Sequence, residues 1–278
     1  MRKSEICERV KLMPKSTNEV LAEIEERKNK ISRMTAEDFK KAYNDLTDKG
    51  FPTEATADFV FALGHSSQIE YHYELLFADW LNGTVYSNLS GWFKAHDEAV
   101  VAYLLTKLQN EDDCDFHGQI VFLLAKVLDE LKTRPFYSER KKEVVSCAEN
   151  LLLSEHIEIR RNAIIALGWI GGIEQVLLLC DRLLNDHDYK CRAWAATAFM
   201  QMWFRNKTKD IADKIKPCLL QRLQREQDYF VLGCILETTQ TLETKRWLTQ
   251  NEIDAVDKDT ITKAKQSAIR FLKKAPMV

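Results

Sequence analysis

Glycine and proline are both scarce in this chain, at nine and five of 278 residues, and no segment is of low complexity. That excludes a collagen-like or Gly/Ser-rich chain and leaves no flexible linker to split the sequence. Long apolar runs are missing too. The longest uncharged one, Asn162 to Ile173, is too short to span a bilayer. The seven cysteines (Cys7, Cys114, Cys147, Cys180, Cys191, Cys218, Cys234) are odd in number and form no C-x-x-C pair. No apolar signal segment precedes them, since the chain opens MRKSEICERVKLMPKS and stays densely charged to Lys30. The expectation is reduced thiols in a cytoplasmic protein.

Catalytic signatures are equally absent. There is no P-loop, no G-x-G-x-x-G, no G-x-S-x-G and no H-E-x-x-H. None of the histidines 65, 72, 96, 117, 156 and 187 is followed by Glu. The acidic run Glu111, Asp112, Asp113, Asp115 lacks the glycine and distal Glu of a calcium loop. Net charge is −2, which weighs against a general nucleic-acid binder. These absences lead to an expectation of no enzymatic activity, no metal, no cofactor, no nucleic acid and no membrane.

What is present is helical periodicity. A content of 45% apolar and 10% aromatic residues is enough for an ordered core. Between Ile159 and Phe204 the stretch IRRNAIIALGWIGG is echoed about 32 residues later by CRAWAATAFMQMW. Arg160 maps onto Arg192, Ala163 onto Ala195, Leu167 onto Phe199. The two read as consecutive copies of a helix-turn-helix unit, and stacked units escape the size limit of a single compact core.

The surrounding chain fits the same scheme. Pro14 interrupts the N-terminal helical pattern. Ser16 with Glu19 has capping-box spacing for a helix to about Lys30. Thr35 opens a helix to about Asp48, Lys49-Gly50-Phe51-Pro52 stops it, and Thr53 starts another that ends in FALG at 61–64. Ser67 and Glu70 have the spacing of a further capping box. Residues 82–91 are turn-rich. From there the spacing predicts helices over 92–108, 116–131, 138–153, 157–170, 173–184, 189–204, 209–223, 228–242 and 260–274. No alternating strand pattern occurs. The expected class is all-α, one α-solenoid domain of stacked antiparallel helix pairs over 1–278. Irregular helices cover 1–91, repeats cover 92–243, and a C-terminal capping helix lies within 244–278.

With Asp186 near a turn and Cys191-Arg192 opening the next helix, the chain resembles the HEAT-repeat family, including its shorter bacterial type. Ile159-Arg160 fits the same spacing, with Ser154 where the Asp should be. The resemblance is best over 138–204, and the units outside it lack the Asp/Arg pair. It implies that second helices line a concave binding face. On a helical wheel Ile159, Ala163, Leu167 and Ile170 point inward, and Arg161, Asn162, Ile165 and Trp169 lie on the other side. A shift of 32 brings the latter four onto Ala193, Trp194, Thr197 and Gln201. Trp and Arg dominate interface energetics. Arg161, Asn162, Trp169, Trp194, Thr197 and Gln201, with the acidic run 111–115, are therefore the candidate partner-binding residues. The competing reading packs both tryptophans between neighbouring repeats. Arg160 and Arg192 read as structural, reaching an acidic turn residue such as Asp186 of their own or the preceding unit.

The basic region Arg205, Lys207, Lys209, Lys214, Lys216, Arg222, Arg225 contrasts with the acidic run and suggests a charge-polarised array. The expected function is protein binding, as an immunity or inhibitor protein that occludes a toxin, its partner a basic toxin or nuclease domain. An adaptor or assembly scaffold is the alternative. A third reading is a helical-repeat nucleic-acid enzyme of the DNA-glycosylase kind, using Trp194 and Asp188.

Overall fold

The computed structural model describes residues 16–82, 89–109 and 116–274, and among them there is no strand. The acidic run Glu111, Asp112, Asp113 and Asp115 lies outside the described residues. The chain forms two compact units, 1–96 and 97–278.

The first unit holds α1 (Thr17–Ile31), α2 (Ala36–Asp48), α3 (Thr53–Gly64), α4 (Ile69–Asn82), α5 (Leu89–Trp92) and a 3-10 turn over Phe93–His96. The capping boxes at Ser16/Glu19 and Thr35/Asp38 start α1 and α2, each acid reaching back to the cap amide while the hydroxyl accepts from the third residue of the helix. Gly50 and Phe51 both have positive φ, which breaks the chain between α2 and α3. Phe39, Leu63, Leu89 and Phe93 are fully buried. Gly64 lets α3 approach α5 closely, since a Cβ there would stand 2.8 Å from the Trp92 carbonyl oxygen.

The second unit is an α-solenoid of four antiparallel pairs: α6 (Glu98–Leu108) with α7 (His117–Glu130), α8 (Tyr137–Leu151) with α9 (Ile157–Ile170), α10 (Val176–Asn185) with α11 (Tyr189–Asn206), and α12 (Lys209–Arg225) with α13 (Tyr229–Leu242). A short α14 (Gln250–Asp254) and α15 (Lys258–Lys274) follow, and α15 packs on α12 and α13. The second helices α7, α9, α11 and α13 contact one another in sequence order and carry most of the core. Small residues allow this. A Cβ on Gly118 of α7 would lie 2.9 Å from Ile159 Cα of α9, and one on Gly168 of α9 would lie 3.0 Å from Ala198 of α11.

Turn chemistry repeats from unit to unit. Asp188 and Asp228 cap α11 and α13, accepting from the amides of Cys191 (2.8 Å) and Val231 (3.0 Å). Just upstream sits a buried acid, Asp186 in one unit and Glu226 in the next. Each is held by two arginines. Arg160 Nε reaches Asp186 at 3.1 Å and Arg192 Nε reaches Glu226 at 2.9 Å, both from the preceding second helix. Arg182 and Arg222 come from the acid's own first helix, four residues earlier. The free Nη1 of Arg160 donates to the carbonyls of Ser154 and Glu155, and that of Arg192 to those of Asp186 and His187. One guanidinium thus ties its own turn to the turn of the following unit.

Several expectations are corrected here. The carboxylate partner of Arg160 and Arg192 belongs to the following unit, not to the same or preceding one. The unit at 209–242 keeps its acid, as Glu226, one methylene longer than Asp. The helix expected over 92–108 is interrupted: 93–96 is a 3-10 turn, and Asp97 has φ 56, from which α6 starts afresh. At the α3–α4 turn Ser66, not Ser67, bonds the backbone, accepting from the Gln68 amide at 3.0 Å and donating to the Leu63 carbonyl at 2.7 Å, while Ser67 accepts only from the Gln68 side chain. The 32-residue shift put Ala193 on the outward face, but it is fully buried.

Candidate protein-binding face

The side of the second helices turned away from the core carries the predicted residues. The inward stripe Ile159, Ala163, Leu167, Ile170 is buried, while Arg161, Asn162, Ile165 and Trp169 of α9 and Trp194, Thr197 and Gln201 of α11 are all half-buried. Intermediate burial follows from their place in the seams between adjacent second helices. The 3.6-residue period separates core from non-core positions. It does not distinguish a seam from open surface.

Both tryptophans pack across such seams. Trp169 meets Phe122 of α7 with ring centroids 4.8 Å apart, and Trp194 meets Phe230 of α13 edge-on at 6.2 Å. Tyr189 completes the second cluster, 6.2 Å from Phe230. Phe122, Tyr189 and Phe230 were missed in the sequence. The second helices start at 117, 157, 189 and 229, so a fixed shift of 32 links only α9 to α11. Shifts of 40 would have placed Phe122 in the row of Asn162 and Trp194. Tyr189 and Phe230 remain exposed, at 40% and 37%. The aromatic row is therefore both inter-unit packing and accessible surface.

The polar members are less free. Arg161 pairs with Asp188 through Nε (3.0 Å) and Nη2 (2.9 Å), and with Glu158 through Nη1. Burial would raise the Asp188 pKa, but the Arg161 bonds and the Cys191 amide outweigh it and hold the carboxyl at about 2. Asp188 thus serves both as a cap and in an ion pair. Asn162 Nδ2 stands 3.1 Å from where a Cβ on Gly118 would be, so it fills the α7–α9 contact. Thr197 donates to the Ala193 carbonyl at 3.2 Å. Gln201 lies half-buried on the same side of α11.

One acid on this side is unbalanced. Glu237 of α13, at the row position of Thr197 and Ile165, is half-buried, and no cation pairs with it among the described residues. Burial raises its pKa, and Asp254 of α14 adds to the effect. The basic region is compensated in part. Arg205 caps the carbonyls of Gly168 and Gly171 at the end of α9, Lys216 pairs with Asp213 and Glu243, and Arg222 pairs with Glu226.

Among the described residues no group of three or more His, Cys, Asp or Glu is placed to hold a metal ion. Cys180, Cys191, Cys218 and Cys234 are buried and unpaired, and Cys147 is half-buried. No described helix is long and apolar enough to cross a membrane. Residues 101–200 match a family model described as HEAT repeats. No curated protein matches the chain, and no solved structure does.

Proposed function

We propose, for a chain whose residues 101–200 are HEAT repeats, that the outward side of α7, α9, α11 and α13 is the surface on which it binds another protein. HEAT repeats in general mediate protein–protein interaction and are generally not enzymes. The observation that carries the reading is the aromatic row Phe122–Trp169 and Trp194–Phe230–Tyr189. These rings are fixed by packing between units yet partly open to solvent, so a partner meets pre-ordered anchors at low entropic cost. Trp169, Trp194, Thr197 and Gln201 lie at its centre. Arg161 and Asn162 act by holding the helices in place.

The finer reading is an inhibitor of immunity type that occludes a basic toxin or nuclease domain. It is supported by the half-buried Glu237 carboxylate, whose charge a partner's Lys or Arg would offset. The test is affinity capture from native cell lysate at low and moderate salt, with Trp169→Ala/Trp194→Ala beside wild type and Leu177→Ala as control. Leu177 is 72% exposed on α10, in the layer of first helices. One stoichiometric protein, retained by the control and lost from the tryptophan variant, is the expected outcome. Loss with the control alone, or co-purification of nucleic acid without protein, refutes the reading. Inhibition of the captured protein's own activity separates an inhibitor from an adaptor.

A further inference from the structure

A groove of about 460 Å³ opens at the start of α8, and none of the aromatic-row residues lines it. Tyr137, Ser138, Lys141, Lys142 and Val145 line it from that helix, and Gly172, Glu174 and Gln175 line it from the turn between α9 and α10. Its charge is unbalanced. Neither lysine forms an ion pair among the described residues, and Lys141 has only the Tyr137 ring, 5.9 Å from Nζ to the centroid. Burial disfavours the Lys141 ammonium, the nearby Arg205 guanidinium disfavours it further, and the Glu174 carboxylate offsets part of this. Arg205 is not free to move off, because it holds the Gly168 and Gly171 carbonyls. The one acid lining the groove, Glu174, turns toward Gly172, its Oε2 2.8 Å from where a Cβ on that glycine would stand.

Lys141 and Lys142 thus stand at a polar groove whose one lining acid, Glu174, offsets Lys141 in part and forms no ion pair with either lysine among the described residues. Phenol and hydroxyl donors from Tyr137 and Ser138 line the same space. We propose that this groove binds a phosphate group, with Lys141 and Lys142 supplying charge and Tyr137 and Ser138 donating hydrogen bonds to its oxygens. The first turn of α8 opens at the same end without a side-chain cap, and the positive end of the helix adds to the attraction. The proposal is independent of the protein-binding face.

Thermal unfolding of the full chain in inorganic phosphate, against sodium chloride and sodium acetate at equal ionic strength, tests it. The expected result is a saturable rise in Tm with phosphate and none with acetate. Lys141→Met should melt higher than wild type in chloride, because a part-buried ammonium near Arg205 is gone, and should not respond to phosphate. Lys142→Met, at an exposed position, keeps the fold and should weaken the phosphate response at least several-fold. A larger rise with O-phosphoserine than with phosphate supports the site with a phosphorylated segment as the source; an equal or smaller rise supports it with free phosphate. No response in wild type, equal response in acetate, or an unchanged response in both lysine variants overturns the proposal.

Discussion

Glu226→Gln isolates one rung of the arginine–acid ladder. The Glu226 side chain is 3% exposed and accepts from Arg192 Nε at 2.9 Å, from Arg222 Nε at 2.7 Å, and from the amides of Gln227 and Asp228 at 2.9 and 3.0 Å. Burial by itself would raise its pKa. The bonds from Arg192, the Asp228 amide, Arg222 and the Gln227 amide win, and the carboxyl is held at about 2, down from 4.5. A folded-state pKa below the unfolded one means that the contribution is complete above about pH 4.5 and fades as pH falls toward 2. At about 1.4 kcal/mol per unit, the linkage amounts to about 3 kcal/mol at pH 7 and about 1 kcal/mol at pH 3. Glutamine keeps the shape and loses the charge. Urea unfolding should therefore show a penalty of about 3 kcal/mol at pH 7 that shrinks by roughly two-thirds at pH 3. A penalty below about 1 kcal/mol at pH 7 would mean that the pair merely offsets its own desolvation. A penalty independent of pH would mean that the amide harms packing rather than charge. Either result refutes the reasoning.

Leu167→Ala removes a fully buried side chain from α9 and should cost about 2–5 kcal/mol in urea unfolding; a cost under about 1 kcal/mol would take Leu167 out of the core. Gly118→Ala sets a Cβ 2.9 Å from Ile159 Cα, so despite its better helix propensity it should destabilise by about 1–3 kcal/mol, and a gain in Tm would show that α7 and α9 are not in close contact. In the first unit His72 Nδ1 faces His96 Nε2 at 2.9 Å, with their outer nitrogens on the carbonyls of Leu89 (3.1 Å) and Ser66 (3.1 Å). Burial, with the neighbouring imidazoles His96 and His65 adding to it, lowers the two pKa values to about 3 and about 4 from 6.5. Stability of this unit should be complete above about pH 6.5 and fall between there and pH 4, read by hydrogen exchange of α4 amides, and unchanged protection at pH 5 would refute it.

How much of this was legible in the sequence differs residue by residue. Helix starts at Thr17, Ala36, Thr53 and Tyr189 follow from local chemistry, a capping hydroxyl or carboxylate or a proline just upstream, and such signals act within one turn. The buried stripe of α9 follows from periodicity, because a core contact on one side imposes a 3.6-residue rhythm on its own helix. The irregular spacing of the units, 40, 32 and 40 residues, hid Phe122 and Phe230 from a fixed shift, and the exchange of Asp for Glu at 226 hid the ladder's second rung.

Sequence alone determined that this is an all-helical array of stacked pairs, which stripe of α9 faces the core, and that Arg160 and Arg192 are structural. Those properties depend on neighbours within one helix or one turn. Tertiary structure alone decided that Arg160 and Arg192 reach forward to Asp186 and Glu226, and that Trp169 and Trp194 sit in seams rather than on open surface. It alone brought His72 against His96 across 24 residues and set Lys141 near both Arg205 and Glu174. Each of these depends on which side chain a different helix places opposite, and on the distance that glycines such as Gly118 and Gly168 allow between helices. No periodicity within a single segment encodes that.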